Sequence, residues 1–273
     1  MIKLNLPLSR FRTAPQSIVG PRSILSLKGL QAVKVVLITG NSLLKNKDKY
    51  KAVISSINCH KLEVIERSWK GEPTLKELKN SLNKLESIKP DCIIALGGGS
   101  IIDGAKILWA FYEHPTMQED LYSRPFAIPP LRGKCSFIAV PTTVGTGSEV
   151  SSSAIYYDEL SNKKVPMVTH DFLPDLVILD PELLSGIPHK ILLSSLIDAI
   201  SHSIEGYVSK INNPLMDVYA EQSINLIYHN WEKVWRNNNN IKSLERLQYA
   251  AMMAGWVQNH CIIGVCHAFA HQL

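Results

Sequence analysis

Two pairs of side chains at helical spacing carry most of the ionisable chemistry in this sequence. Asp198 and His202 stand four residues apart, so on an α-helix both project from one side. On a helical wheel they group with Ser195 and Glu205, while Leu193, Leu196, Ile200 and Ile204 fall on the opposite side. That pattern serves a metal site or a solvated face equally well. His267 and His271 repeat the spacing within residues 262–271, where Cys266 is the one other ionisable side chain. Such a setting predicts burial, and a buried imidazole needs partners for its ring nitrogens. One carboxylate with two imidazoles is a ligand set that suits Fe(II) and also Zn(II). The remaining histidines (60, 114, 170, 189, 229 and 260) form no constellation, and His189, following Pro188 at a helix start, reads as structural.

A second chemistry lies upstream, in two loops that each follow an apolar run. The run Cys92-Ile-Ile-Ala-Leu96 feeds Gly97, Gly98, Gly99 and Ser100, and a helical pattern begins at Ile101. Glycines permit backbone angles closed to other residues and let a ligand approach closely. The helix start beyond them offers unpaired N–H groups and partial positive charge, which suits a pyrophosphate. The pattern is neither GxGxxG nor a Walker loop, and it also fits a tight turn without a ligand. The second loop, Pro141-Thr-Thr-Val-Gly-Thr-Gly-Ser-Glu-Val150, is dense in hydroxyls. It suits ribose, amide and phosphate groups, or a plain Ser/Thr-rich turn.

Positioning these loops requires strands that end at one edge. Residues 33–39, 62–66, 92–96, 137–140 and 176–179 read as buried strands, and 48–58, 74–89 and 101–111 as helices, the second opened by a Thr cap. Strands alternating with helices predict a parallel sheet covered on both faces, with its ligand crevice at the strands' carboxyl ends. Beyond Asp180-Pro181 only helical periodicity remains, over 188–209, 214–236, 241–259 and the closing segment, with 237–240 as a polar connector. The expectation is an α/β domain over residues 1–181 followed by an all-α domain over 182–273.

Composition narrows the class. The 273 residues are 45% hydrophobic and 19% charged, which is ordinary for a folded chain of two domains. The net charge of +5 is scattered, densest at Lys45, Lys47, Lys49 and Lys51, without interleaved aromatics, so nucleic-acid binding has no footprint. No apolar run approaches the roughly 18 residues of a membrane span. Residues 1–11 lack a signal-peptide core. Five cysteines follow no CxxC spacing and sit in or beside apolar segments, which predicts buried, reduced thiols and a cytoplasmic protein.

Four segments together resemble the iron-containing (group III) alcohol dehydrogenases: Gly97-Gly-Gly-Ser-Ile-Ile-Asp-Gly-Ala-Lys106, the 141–150 loop, the Asp198–His202 helix, and Gly264-Val-Cys-His-Ala-Phe-Ala-His-Gln-Leu273. The resemblance implies a Rossmann-like dinucleotide-binding domain and a helical metal-binding domain with the active site between them. By motif, Gly97, Gly98, Gly99 and Ser100 would hold the pyrophosphate, and Asp103 would lie close to the cofactor. Thr142, Thr143 and Thr146 would line the nicotinamide side, and Lys164 would approach the ribose. Asp198, His202 and His267 would bind the metal, Fe(II) or Zn(II), with His271 the substrate-side or proton-relay histidine. The implied reaction is hydride transfer between a small primary alcohol, aldehyde or short diol and NAD or NADP, in a homo-oligomer, a dimer.

Two departures qualify that expectation. The family's further histidine ligand belongs to a Pro-His-Gly segment, and this sequence reaches Leu273 without one. The expectation is therefore a helical domain truncated relative to the family, or a site with three protein ligands. Gly40 stands where many NAD-using members carry an acid that would repel a 2′-phosphate, so NADP is permitted. Competing expectations are a glycerol-dehydrogenase-like or dehydroquinate-synthase-like enzyme, and a dinucleotide-binding fragment without turnover.

Overall fold

The computed structural model describes residues 11–261 and 264–270. In chain order its elements begin with β1 (Ser17–Val19), β2 (Lys34–Thr39), α1 (Asn41–Lys45), α2 (Lys47–Ser56), β3 (Lys61–Glu66) and α3 (Leu75–Ile88). Next come β4 (Cys92–Gly97), α4 (Gly99–Glu113), α5 (Glu119–Tyr122) and β5 (Ser136–Pro141). A hairpin of β6 (Ser153–Asp158) and β7 (Lys163–Val168) precedes β8 (Leu176–Leu179). Then only helices follow among the described residues: α6 (Pro181–Leu184), α7 (His189–Tyr207), α8 (Pro214–Arg236), α9 (Ile241–His260) and α10 (Val265–Ala270).

The apolar runs pair into one six-stranded sheet ordered β1-β8-β5-β4-β2-β3, parallel throughout. Side chains alternate across a strand, and both faces of this sheet are covered. In β4, Ile93 and Ala95 pack with α4 on one face, while Cys92, Ile94 and Leu96 join Val53 of α2 on the other. Each fully buried Ile or Leu in such layers contributes about 1.5–3 kcal/mol relative to exposure. Chain order runs outward from β2 to β3 but in the opposite direction from β4 to β5. The switch between β2 and β4 opens a crevice at their carboxyl ends, beside Gly40 and Gly97.

Local chemistry sets several boundaries. Thr74 caps α3 with a reciprocal pair: its Oγ1 accepts from the Glu77 N–H at 3.2 Å, and its own N–H donates to Glu77 Oε2 at 2.9 Å. Asp180 accepts at the start of α6 just ahead of Pro181, and Asn213 does the same for α8 ahead of Pro214. The α4 helix begins at Gly99, earlier than its apolar periodicity, because glycines carry no periodic signal.

Two expectations are corrected. The antiparallel β6–β7 hairpin was not anticipated; β7 carries Pro166 and two lysines, and its pattern is weakly apolar. The cysteines are not uniformly buried: Cys92, Cys135 and Cys261 are, Cys59 is half-buried and Cys266 is exposed. On α7, where the sequence left a metal site and a solvated face open, the polar side turns inward. Ser195, His202 and Glu205 are buried, whereas Leu193, Ile197 and Ile204 are 43%, 55% and 49% exposed. The helix packs into the core along Leu192, Leu196 and Ala199, which flank the polar row. No helix among the described residues is long and apolar enough to cross a membrane.

Candidate active site

Two loops meet above the carboxyl ends of β4 and β5, and glycine is what lets them meet. A side chain at Gly99 would place its Cβ 2.6 Å from Thr146 Cγ2, and one at Gly145 would lie 2.4 Å from the Ser195 carbonyl oxygen. Real Cβ atoms do not approach that closely, so the first contact joins the loops and the second docks the hydroxyl-rich loop onto α7. Val144, fully buried, packs there with Leu184, Leu192 and Leu196 and ties the sheet edge to the helices.

A cleft of about 860 Å³ runs along this junction. Gly98, Gly99 and Ser100 line it at the start of α4, and Thr142, Thr143 and Thr146 line it from the second loop. Asp198 of α7 closes its far side. Lys49 spans the rim, its Nζ donating to the carbonyls of Leu183, at 3.0 Å, and of Ser185. Arg67, just past β3, donates from Nη1 to Ser100 Oγ at 2.9 Å.

At the helical side three donor atoms converge. Asp198 Oδ1 lies 3.8 Å from His202 Nε2 and 3.5 Å from His267 Nε2, and one ligand atom of each residue falls within 4.8 Å of the others. The two imidazoles stack with centroids 4.4 Å apart and planes 16° from parallel. Burial drives the His202 pKa down to about 4, so its ring is neutral at physiological pH. Burial also works against charge on His267, but hydrogen bonding to Asp198 and Glu205 outweighs it and raises that pKa.

Glu205 is the residue that holds this arrangement. Its carboxylate accepts the Gly264 N–H at 2.7 Å and the Cys266 N–H at 2.6 Å, capping the start of α10. It also lies 2.7 Å from His267 Nδ1. With Nδ1–H donated to Glu205, Nε2 is the ring nitrogen that faces Asp198 and His202, the carboxylate–histidine arrangement typical behind metal-binding imidazoles. Burial pushes Glu205 up, yet the hydrogen bonds from His267, Cys266 and Gly264 prevail and bring it down to about 2. The sequence placed Glu205 on the same wheel sector as Asp198 and His202 but gave it no task. Its partners lie about sixty residues downstream, beyond any local pattern.

Other expected site residues are distributed unevenly. Gly97 ends β4 behind the cleft, and its neighbours Gly98 to Ser100 form the wall. Asp103 faces away from the cleft: it is buried, and its Oδ2 accepts the Ile155 N–H of β6 at 3.1 Å. Lys164 is also outside the cleft, on β7, where its Nζ pairs with Glu72 Oε1 at 3.3 Å. His267 is half-buried rather than buried. His271 lies outside the described residues. Arg67 and Lys49 were missed because single cations in a mixed segment carry no spacing signal.

Comparison with known proteins agrees in every direction. The family model described as iron-containing alcohol dehydrogenase matches residues 15–181, and that of the Fe-containing alcohol dehydrogenase C-terminal region matches residues 192–273. An NADPH-dependent butanol dehydrogenase of Clostridium saccharobutylicum is 32% identical over 262 residues, covering 95% of this chain and 67% of that protein. The bifunctional aldehyde-alcohol dehydrogenase of Escherichia coli (strain K12) is 35% identical over 218 residues, 74% of this chain and 24% of that protein. Among solved structures, an iron-containing alcohol dehydrogenase from Thermococcus thioreducens superposes with a TM-score of 0.86 at 28% identity. An alcohol dehydrogenase from Oenococcus oeni superposes with 0.87 at 27%. Each superposition covers 96% of this chain and 70% of the other. The chain thus spans 67% of the butanol dehydrogenase and 70% of each of these two solved enzymes, but only 24% of the bifunctional one. With family models matching both the sheet half and the helical half, this chain belongs to the iron-containing alcohol dehydrogenase family.

Proposed function

We propose that this protein transfers a hydride between a small primary alcohol or aldehyde and NAD or NADP, with a divalent metal at Asp198, His202 and His267. One observation carries the reading: a single cleft touches the glycine turn, the threonine loop and Asp198, whose carboxylate converges with two imidazole nitrogens. The donor chemistry fits the ion. One carboxylate oxygen and two imidazole nitrogens suit Fe(II) and also Zn(II), and His202 is already neutral. His267 would give up its Nε2 proton on loading, while Glu205 keeps the Nδ1 proton in place.

The roles of the chain's own groups follow. N–H groups at the start of α4 and Ser100 hold the pyrophosphate, with Gly97 and Gly98 leaving room for the backbone to approach it. Thr142, Thr143 and Thr146 offer hydroxyls to the nicotinamide half. Ser195 and the 141–150 loop exclude water by closing the sheet edge onto α7. When bound, the metal supplies Lewis-acid polarisation of the substrate oxygen, and the hydride chemistry belongs to the nicotinamide. His271 keeps its proton-relay role on the sequence motif alone. The division into a cofactor domain up to residue 181 and a metal domain beyond it is part of the same proposal. So are the cytoplasm, which five unpaired cysteines support, and assembly as a homo-oligomer.

The test is a pair of measurements on the wild type and on Asp198→Asn: metal content after loading with Fe(II) or Zn(II), and NADPH binding by nicotinamide fluorescence. The wild type should retain the metal stoichiometrically and oxidise or reduce simple alcohols and aldehydes. The variant should lose the metal and turnover yet bind NADPH unchanged. Full metal retention by the variant defeats the assignment.

A further inference from the structure

The crevice between β2 and β4 carries a cation that hydride transfer does not require. Arg67 follows β3 directly, and its backbone N–H donates to the Thr39 carbonyl at 2.8 Å, which draws it against the end of β2. There the next residue is Gly40. A side chain built on Gly40 would set its Cβ 3.4 Å from Arg67 Nε, so the arginine side chain lies alongside the space that any residue 40 side chain would enter. Among the described residues Arg67 pairs with no carboxylate; its Nη1 donates to the hydroxyl of Ser100 on the glycine turn. Arg67, Ser42 and Ser100 line the same cleft as Asp198.

Dinucleotides bound at a switch point lay the pyrophosphate on the glycine turn and the adenosine ribose at a neighbouring strand end. An acid at that strand end accepts from a ribose 2′-hydroxyl, whereas an arginine there accommodates a 2′-phosphate. Here the acid is absent, and a guanidinium stands beside the position. A planar guanidinium presents paired N–H donors that match phosphate oxygens, and it stays charged at every physiological pH.

We propose that Arg67 selects NADP(H) over NAD(H) by gripping the 2′-phosphate, with Gly40 supplying the room for it. This rests on the dinucleotide reading above and deepens it. Ser100 holds the guanidinium in place from the pyrophosphate side, so the two phosphate contacts share one hydrogen-bonded frame.

Fluorescence titration of NADPH and NADH into the wild type, Arg67→Ala and Arg67→Lys tests it without reference to turnover. The wild type should bind NADPH more tightly than NADH. Arg67→Ala should weaken NADPH by about 10- to 100-fold, the range for losing charged hydrogen bonds, and leave NADH unchanged. Retained NADH binding also shows that the variant is folded. Arg67→Lys should recover part of the NADPH affinity. An equal loss for both cofactors would make Arg67 a pyrophosphate contact and overturn the inference, as would a wild type that favours NADH or an Arg67→Ala that still binds NADPH fully. A wild type that binds neither cofactor removes the dinucleotide reading itself, and the selectivity with it.

Discussion

Two clusters of ionisable groups adjoin the threonine loop, and they solve the same electrostatic problem in opposite ways. Asp103, Lys106 and Glu149 are sealed in the sheet half, and Lys106 is wholly buried. Its Nζ donates to the carbonyls of Ser148 at 2.6 Å, Ser151 at 2.7 Å and Ser153 at 3.1 Å. Burial brings Lys106 down to about 8 and lifts Asp103 to about 6 and Glu149 to about 7. A cation built into the chain sits at the centre, and every donor on it is used. Asp198, His202 and His267 instead bring one ligand atom each within 4.8 Å of the others, beside the cleft that Asp198 lines, with no lysine or arginine in the set. The contrast separates a structural ion cluster from the set proposed above to hold an ion. A cluster that contains its own cation is closed to ligands; one that gathers a carboxylate and two imidazoles without a lysine or arginine is chemically suited to an external cation.

Three substitutions probe that contrast. The largest effect belongs to Lys106→Met, which removes the central cation, strands three carbonyls and withdraws the positive charge that favours the ionised forms of Asp103 and Glu149. It should destabilise the fold by about 3–5 kcal/mol, the range for breaking a buried pair, measured by chemical denaturation. Stability equal to the wild type would show that the inner cluster is not held by its lysine. Next in size is Glu205→Gln, which keeps the volume but weakens both the α10 cap and the hold on His267 Nδ1. Metal affinity should fall by about 10- to 100-fold, as for partners behind metal-binding histidines, while NADPH binding stays unchanged. Unaltered metal affinity in a competition titration would detach Glu205 from the site.

The smallest effect is pH-dependent. Glu149 has its folded pKa raised from 4.5 to about 7, so its folded form holds a proton that the unfolded chain has released. Its contribution to stability is full below pH 4.5 and is lost as pH rises through 7. Glu149→Gln removes this dependence. Relative to the variant, the wild type should therefore become steadily less stable across that window in denaturation curves taken at several pH values. A constant difference would mean that Lys106 neutralises Glu149 at every pH.

Much of the scaffold was legible because it is written at short range. The β4 run and its glycines, the Thr74 cap and the proline-led helices α6 and α8 each announce themselves within a few residues. The threonine loop was legible too, since four hydroxyls and two glycines lie within eight residues. Wheel geometry also grouped Ser195, Asp198, His202 and Glu205, yet it could not say which way the group points. Solvent lay on the side of Leu193 and Ile204 instead, because the direction of burial depends on α9 and the threonine loop packed beneath α7. Asp103 and Lys164 were placed near the cofactor by motif, but the β6–β7 hairpin takes both: Asp103 answers the N–H of Ile155, and Lys164 meets Glu72.

The sequence by itself determined which residues could do chemistry and which elements carry them, because i,i+4 spacing and glycine turns are local consequences of helix and strand geometry. Only the tertiary structure decided which of those residues share a site. His267 reaches Asp198 because Glu205, on another helix, caps the turn that carries it. Arg67 reaches Gly40 because β3 runs beside β2 in the sheet. Such meetings depend on packing between segments far apart in the chain, and periodicity holds no record of them.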